Sequence, residues 1–196
     1  MPAPCLILAS TSRYRRELLQ RLRLPFEVVS PGVDEAPQAG EAPAALAIRL
    51  ALAKARAVAA HAADAVVIGS DQVAELDGQA IGKPGSHERA LGQLTKMSGR
   101  SVVFHTAVAV VRRDRSFERA LLAPVTVRFR PLRSEDIERY LLLDTPYDCA
   151  GSAKSEALGI ALLESIDSDD PTALIGLPLI RTCALLREAG LDPLGA

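Results

Sequence analysis

Two lysines of this chain occupy positions that call for a chemical reason. Lys54 sits inside an alanine- and leucine-rich segment, and Lys83 is held in Gly82-Lys83-Pro84. From Pro43 to about Ala60 the composition favours a helix, with proline suited to its first turn. At about 100° per residue, Arg49 and Arg56 share one solvated stripe, while Lys54 falls with Leu50 and Val58 on the inward face. A lysine there either snorkels past the edge of the core or delivers an ammonium into a cleft. Lys83 precedes a proline, which biases its backbone to an extended form and presents its amine. Both point to an anion.

Other residues add to that chemistry. The run Ser10-Thr11-Ser12-Arg13-Tyr14-Arg15-Arg16 follows an apolar stretch and opens a helix. Hydroxyls, free N–H groups at a helix N-terminus and guanidinium forks suit a phosphate, although a capped helix with solvated arginines has the same spacing. It is not a Walker A loop, since the glycines and the Lys-Ser/Thr pair are missing. Asp71 is expected to close a buried strand, where open α/β sheets place ligand-handling groups, or to form a turn. Asp34-Glu35, after Pro31-Gly32, offers carboxylates to a hard divalent cation, or simply a solvated loop.

The elements that must position these groups alternate between strand and helix. Strands are expected at 5–9 and 65–69, a hairpin pairs 72–76 with 79–82 across Asp77-Gly78, and long strands span 102–112 and 120–129. A strand is also expected at 160–163. Helices are expected from Ser12 to about Leu22, over 43–60, from Ser86 to Lys96, from Ser134 to Leu143, and from Pro171 with a restart at Pro178. The class is α/β with a mixed, partly antiparallel twisted sheet and flanking helices.

Composition bounds the ligand. The 196 residues are 48% apolar and 24% charged, with 13 Gly and 13 Pro, which suits one globular domain over 1–196 rather than a disordered chain. A net charge of −1 supplies no global field for nucleic acid or an acidic membrane, so any anion is small and met locally. Cys5, Cys149 and Cys183 are far apart, odd in number and without metal spacing, which fits a reducing cytoplasm. The amino terminus has no basic region and too short an apolar run for a signal peptide or membrane span.

Taken together, Ser10-x-Ser12-x-x-Arg15-Arg16, Val33-Asp34-Glu35, Leu52-Ala53-Lys54-Ala55, Gly69-Ser70-Asp71-Gln72-Val73, Gly82-Lys83-Pro84, Met97-Ser98-Gly99 and Gly176-Leu177-Pro178 resemble the Maf family of nucleoside triphosphate pyrophosphatases, in order and over nearly the whole chain. More narrowly, Asp71-Gln72-Val73, Cys149-Ala150-Gly151-Ser152-x-Lys154-Ser155-Glu156 and Gly176-Leu177-Pro178-Leu179-Ile180 resemble its YceF-type branch, associated with 7-methyl-GTP. The sister branch acts on dTTP and UTP and carries Thr at Gln72 and Gln at Glu156. The resemblance implies two lobes around a cleft, as in inosine triphosphatases, a homodimer, and hydrolysis at the α-phosphate with magnesium or manganese.

It also implies residue roles. Asp71 is the proton acceptor, Glu35 and Asp71 hold the metal, and Lys54, Lys83, Arg15 and Arg16 grip the triphosphate with hydrogen bonds from Ser10 and Ser12. A 7-methylguanine ring is cationic, so stacking on Tyr14 and a carboxylate at Glu156 favour it, with Gln72 completing the contact. This chain departs from the family in having Arg13 where proline is usual and Tyr14 where close sequences often have tryptophan. The family's link to septum formation leaves a non-catalytic nucleotide-binding regulator as a second reading. A phosphate-binding kinase is a third, without any kinase signature in the chain.

Overall fold

The computed structural model describes residues 4–195. The reading of the amino terminus as leaderless rests in part on residues 1–3, and the domain span of 1–196 also takes in residue 196; these lie outside the described residues. Elements follow in the order β1 (Leu6–Ala9), α1 (Arg13–Gln20), β2 (Glu27–Val29), α2 (Pro43–Ala59), β3 (Val66–Leu76), β4 (Gln79–Ile81), α3 (His87–Met97), β5 (Ser101–Arg112), β6 (Phe117–Phe129), α4 (Ser134–Asp144), β7 (Leu163–Asp167) and α5 (Leu179–Glu188). One sheet runs β2-β1-β3-β5-β6-β7, with β4 on β3. β1 lies parallel to β2 and β3, and every other pairing is antiparallel, so the sheet is mixed as expected.

The sheet carries three apolar clusters. Near the start of β3, α2 covers one face through Ala47, Leu50, Ala51, Ala55 and Val58, and α1 and α5 cover the other through Leu18, Leu19, Leu185 and Leu186. At the far end, Leu94 and Met97 of α3 and Ile137 and Leu141 of α4 close over Phe104, Val125, Val127 and Phe129. Strands β3, β5 and β6 pass through both regions, which form the two lobes.

Between the lobes the edge of β3 is bare. β1 pairs with it only as far as Ala9 opposite Gly69, and β4 joins it only from Ala74 onward. Residues 70–73 pair with β5 alone. Strand N–H and C=O groups at such an edge have no partner strand.

Three expectations are corrected. The strand expected to end at Ser70-Asp71 continues to Leu76, because both polar side chains find buried partners, Ser70 in the Gly176 carbonyl and Asp71 in Lys54. The stretch expected as a strand at 160–163 is a 3₁₀ turn over Leu158–Leu162, and the strand begins at Leu163. There the backbone of Gly159 presses on that of Lys154; a Cβ at Gly159 would lie 2.6 Å from Lys154 N and O, so the chain folds back before it joins β6. The helix expected from Pro171 is a set of turns, closed by bonds such as Ala173 N to Asp170 O and broken at Gly176, whose φ is +127°. Only α5, after Pro178, is helical.

Candidate active site

Lys54 reaches its place because α2 sits unusually close to β3. Ala47, Ala51 and Ala55 recur every four residues along its inward face, and opposite them stands Gly69. A Cβ on Gly69 would lie 2.6 Å from Ala55 N and closer still to Ala51 O, so only a glycine admits the helix backbone. Two residues further along β3, on the same face, Asp71 meets Lys54.

Lys54 is 4% exposed and Asp71 7%. The ammonium donates to Asp71 Oδ1 at 2.6 Å and stands 2.6 Å from Glu35 Oε1. Glu35 comes from the loop before α2, and about half of its side chain remains in solvent. Burial works to raise its carboxyl, but the Lys54 hydrogen bond and the charges of Lys54, Lys83 and Arg15 outweigh that, so the net shift is downward from 4.5. A depressed carboxylate contributes stability above its unfolded value and loses it as pH falls through the folded value. Glu35→Gln therefore lowers the melting temperature by about 1–3 °C at neutral pH, a size set by its exposure. In a thermal scan series the gap to the parent closes below pH 4.5; a gap that persists in acid contradicts the ion pair.

Arg15 is fixed behind this group. Its Nε donates to the Gly176 carbonyl at 2.9 Å, a carbonyl that also accepts from the Ser70 hydroxyl at 3.0 Å. One guanidinium nitrogen lies 3.5 Å from Ser10 Oγ. Burial lowers its pKa, and the nearby Asp71 and Glu35 charges work against that. Ser12 caps α1 by accepting from Arg15 N at 3.4 Å, and Ser10 Oγ accepts from Ser12 N at 3.2 Å. Lys83 is exposed after β4, on a turn held by Gln93 Nε2 donating to Gly82 O and by Gly85 N donating to Tyr147 O. Its charge is one of those that hold the Glu35 carboxyl down.

The remaining expected residues are placed differently. Arg16 points away and lines a surface depression with Gln20, Leu24, Phe26 and Val28, as the helical turn between it and Arg15 dictates. Glu156 is exposed on the wall of a cavity of about 330 Å³ with Ser155, Ile166, Ser168, Pro171, Leu174 and Ile175. Gln72 braces that wall from behind, its amide donating to the carbonyls of Ala173 and Leu174 and to the Thr106 hydroxyl. Tyr14 is not among the lining residues. Its hydroxyl donates to Asp148 Oδ2 at 3.3 Å and accepts from Arg13, whose guanidinium lies 4.7 Å from the ring centre. Burial pushes the neighbouring Cys149 thiol up to about 11, so it stays protonated at neutral pH and is no nucleophile.

Gly69, Ser70, Gly176 and Asp148 shape the site, and none was singled out for that role from the sequence. Glycine inside an apolar strand run was the available signal for Gly69. Among the described residues no three His, Cys, Asp or Glu side chains form a metal-binding group, and no helix is long and apolar enough to cross a membrane. Glu35 and Asp71 offer two carboxylates, a donor set that fits a magnesium-type ion sharing its remaining positions with phosphate and water.

The chain is similar to known proteins over nearly its whole length. The 7-methyl-GTP pyrophosphatase of Albidiferax ferrireducens is 65% identical over 97% of this chain and 96% of its own. That of a Polaromonas species is 67% identical over 94% and 84%, and that of Bordetella pertussis 60% over 99% and 98%. Among solved structures the Ham1 protein of Staphylococcus aureus gives a TM-score of 0.44 at 17% identity over 63% of this chain and 71% of that one, a likeness too distant to bear on the site. The description Maf-like protein matches residues 5–189, a span that holds every residue of the cluster from Ser10 to Gly176, and the chain belongs to that family.

Proposed function

We propose that this protein hydrolyses 7-methyl-GTP to 7-methyl-GMP and pyrophosphate, removing a modified nucleotide from the pool. The observation that carries the reading is the Lys54 ammonium, held 2.6 Å from both Asp71 and Glu35 where β3 lacks a second partner strand, with the charge of Arg15 near both carboxylates and that of Lys83 acting on Glu35. The names of the relatives supply the nucleotide.

The chemistry follows from the side chains. The triphosphate tail lies against Lys54, Lys83 and Arg15, which offset its charge and hold the α-phosphorus in line for attack. Asp71, whose Oδ1 pairs with Lys54 in the free protein, takes a proton from the attacking water. The water adds to the α-phosphorus, the α–β bridging bond breaks, and pyrophosphate departs. A divalent cation, magnesium or manganese, held by Glu35 and Asp71 supplies charge neutralisation at the phosphate oxygens when bound. The base occupies the cavity at Glu156, which accepts from its N1–H and amino group, while Gln72 fixes the cavity wall and Tyr14 the neighbouring loop. The same reading makes the chain a single domain of a cytoplasmic homodimer.

A panel of nucleotides with magnesium or manganese, scored for pyrophosphate release, tests the assignment. 7-Methyl-GTP is expected to lead. Glu156→Gln narrows its lead over UTP by about tenfold, the worth of one charge-assisted hydrogen bond at about 1.5 kcal/mol. Equal ratios in variant and parent remove Glu156 from base selection.

A further inference from the structure

The two carboxylates that suit a divalent cation already share a cation of the protein's own. Lys54 Nζ sits 2.6 Å from one oxygen of each, and its side chain is almost wholly withdrawn from solvent. It arrives on a rigid helix whose backbone is pressed against Gly69, so the ammonium is brought to this spot rather than drifting over it. A divalent ion bound by Glu35 and Asp71 would stand next to that ammonium, and the two like charges repel strongly in a poorly solvated site. No third acidic or imidazole ligand stands with the pair among the described residues to offset this.

We propose that Lys54 is a resident counter-cation that keeps the Glu35–Asp71 pair from taking up divalent metal until a polyphosphate draws the ammonium away. This rests on the functional reading above and adds an order of events to it. With the ammonium in place, the free protein binds metal weakly. An arriving triphosphate offers Lys54 a new anionic partner, and the ammonium leaves Asp71 Oδ1 for a phosphate oxygen. One movement then does two things: it adds a cation to the tail and frees the Asp71 carboxylate for metal and water. Uptake of metal without substrate is thereby disfavoured, so the carboxylates are not held by stray cations between turnovers.

The test uses manganese alone. Its sharp paramagnetic resonance signal disappears on binding, so affinity is read without nucleotide and without turnover. The unaltered protein is expected to leave the signal almost unchanged at concentrations where Lys54→Met, which keeps chain length and removes charge, binds at least about tenfold more tightly. Lys54→Arg keeps the charge and is expected to bind as weakly as the parent. Adding Glu35→Gln to Lys54→Met abolishes the gain, which ties it to this pair. Circular dichroism checks that each variant folds, and Lys54→Gln replaces the methionine variant if that one does not.

Tight manganese binding by the unaltered protein overturns the proposal whatever the variants do, as does a charge-removing variant with unchanged affinity. Failure of the nucleotide panel leaves these metal-only measurements intact, so the two readings fail separately.

Discussion

Asp71→Asn is expected to slow pyrophosphate release by about 10²–10⁴-fold, the usual contribution of a positioned general base. The amide keeps the size of the carboxylate, and its oxygen can still accept from Lys54, now 2.6 Å from Asp71 Oδ1, so the local geometry survives. The lost property is the ability to take a proton from water at neutral pH. Nucleotide affinity depends on Lys54, Lys83 and Arg15 and changes by less than about threefold, or tightens as repulsion from the phosphates falls. Turnover and calorimetric binding of a non-cleavable triphosphate analogue are measured side by side. A variant that turns over within tenfold of the parent leaves Asp71 without its role as base. The same variant separates the enzyme from a nucleotide-binding regulator, because a regulator keeps its cellular effect with the asparagine in place.

Gly69→Ala should be the most damaging small substitution in the chain. The added methyl would stand 2.6 Å from Ala55 N and closer to Ala51 O, both backbone atoms of α2 that no rotamer change can move. Helix and strand must separate, opening the apolar layer formed by Ala47, Ala51 and Val67 and moving Lys54 from Asp71. A cost of about 3 kcal/mol lies at the upper end of ordinary overpacking. For a domain of this size that corresponds to a fall in melting temperature of about 6–12 °C. Activity falls further than stability explains, since the ammonium retreats from both carboxylates. Ala55→Gly does not rescue the variant, because the two nearest atoms, Ala51 O and Ala55 N, are backbone. Thermal melts and turnover at a temperature where the variant is fully folded check both halves; a melting temperature within 2 °C of the parent would show that α2 has room.

What could be read in advance was local. Asp77-Gly78 takes positive φ at both residues, 53° and 77°, and joins β3 to β4 as expected of that dipeptide. Ser86 caps α3, and the spacing around Lys54 put it on the buried face of α2. What could not be read depended on partners far along the chain. Ser70 and Asp71 look like the polar end of a strand until Gly176 and Lys54 satisfy them, 106 and 17 residues away. The same distance problem hid the contacts of Tyr14. Its partner Asp148 lies 134 residues on, and the ring face already carries Arg13, the residue that stands in place of proline. Arg15 and Arg16 differ by one step of a helix, and only the packing of α1 decides that the first turns inward to the Gly176 carbonyl while the second lines a surface depression.

The strands common to both lobes constrain how the molecule can move. β3, β5 and β6 are 11, 12 and 13 residues long and run without interruption from one apolar cluster into the next. A loop hinge would let the two halves swing as doors, whereas continuous ribbons yield only by bending and twisting elastically. Any closing over a nucleotide must therefore flex these ribbons, as a leaf spring flexes, rather than turn on a loop.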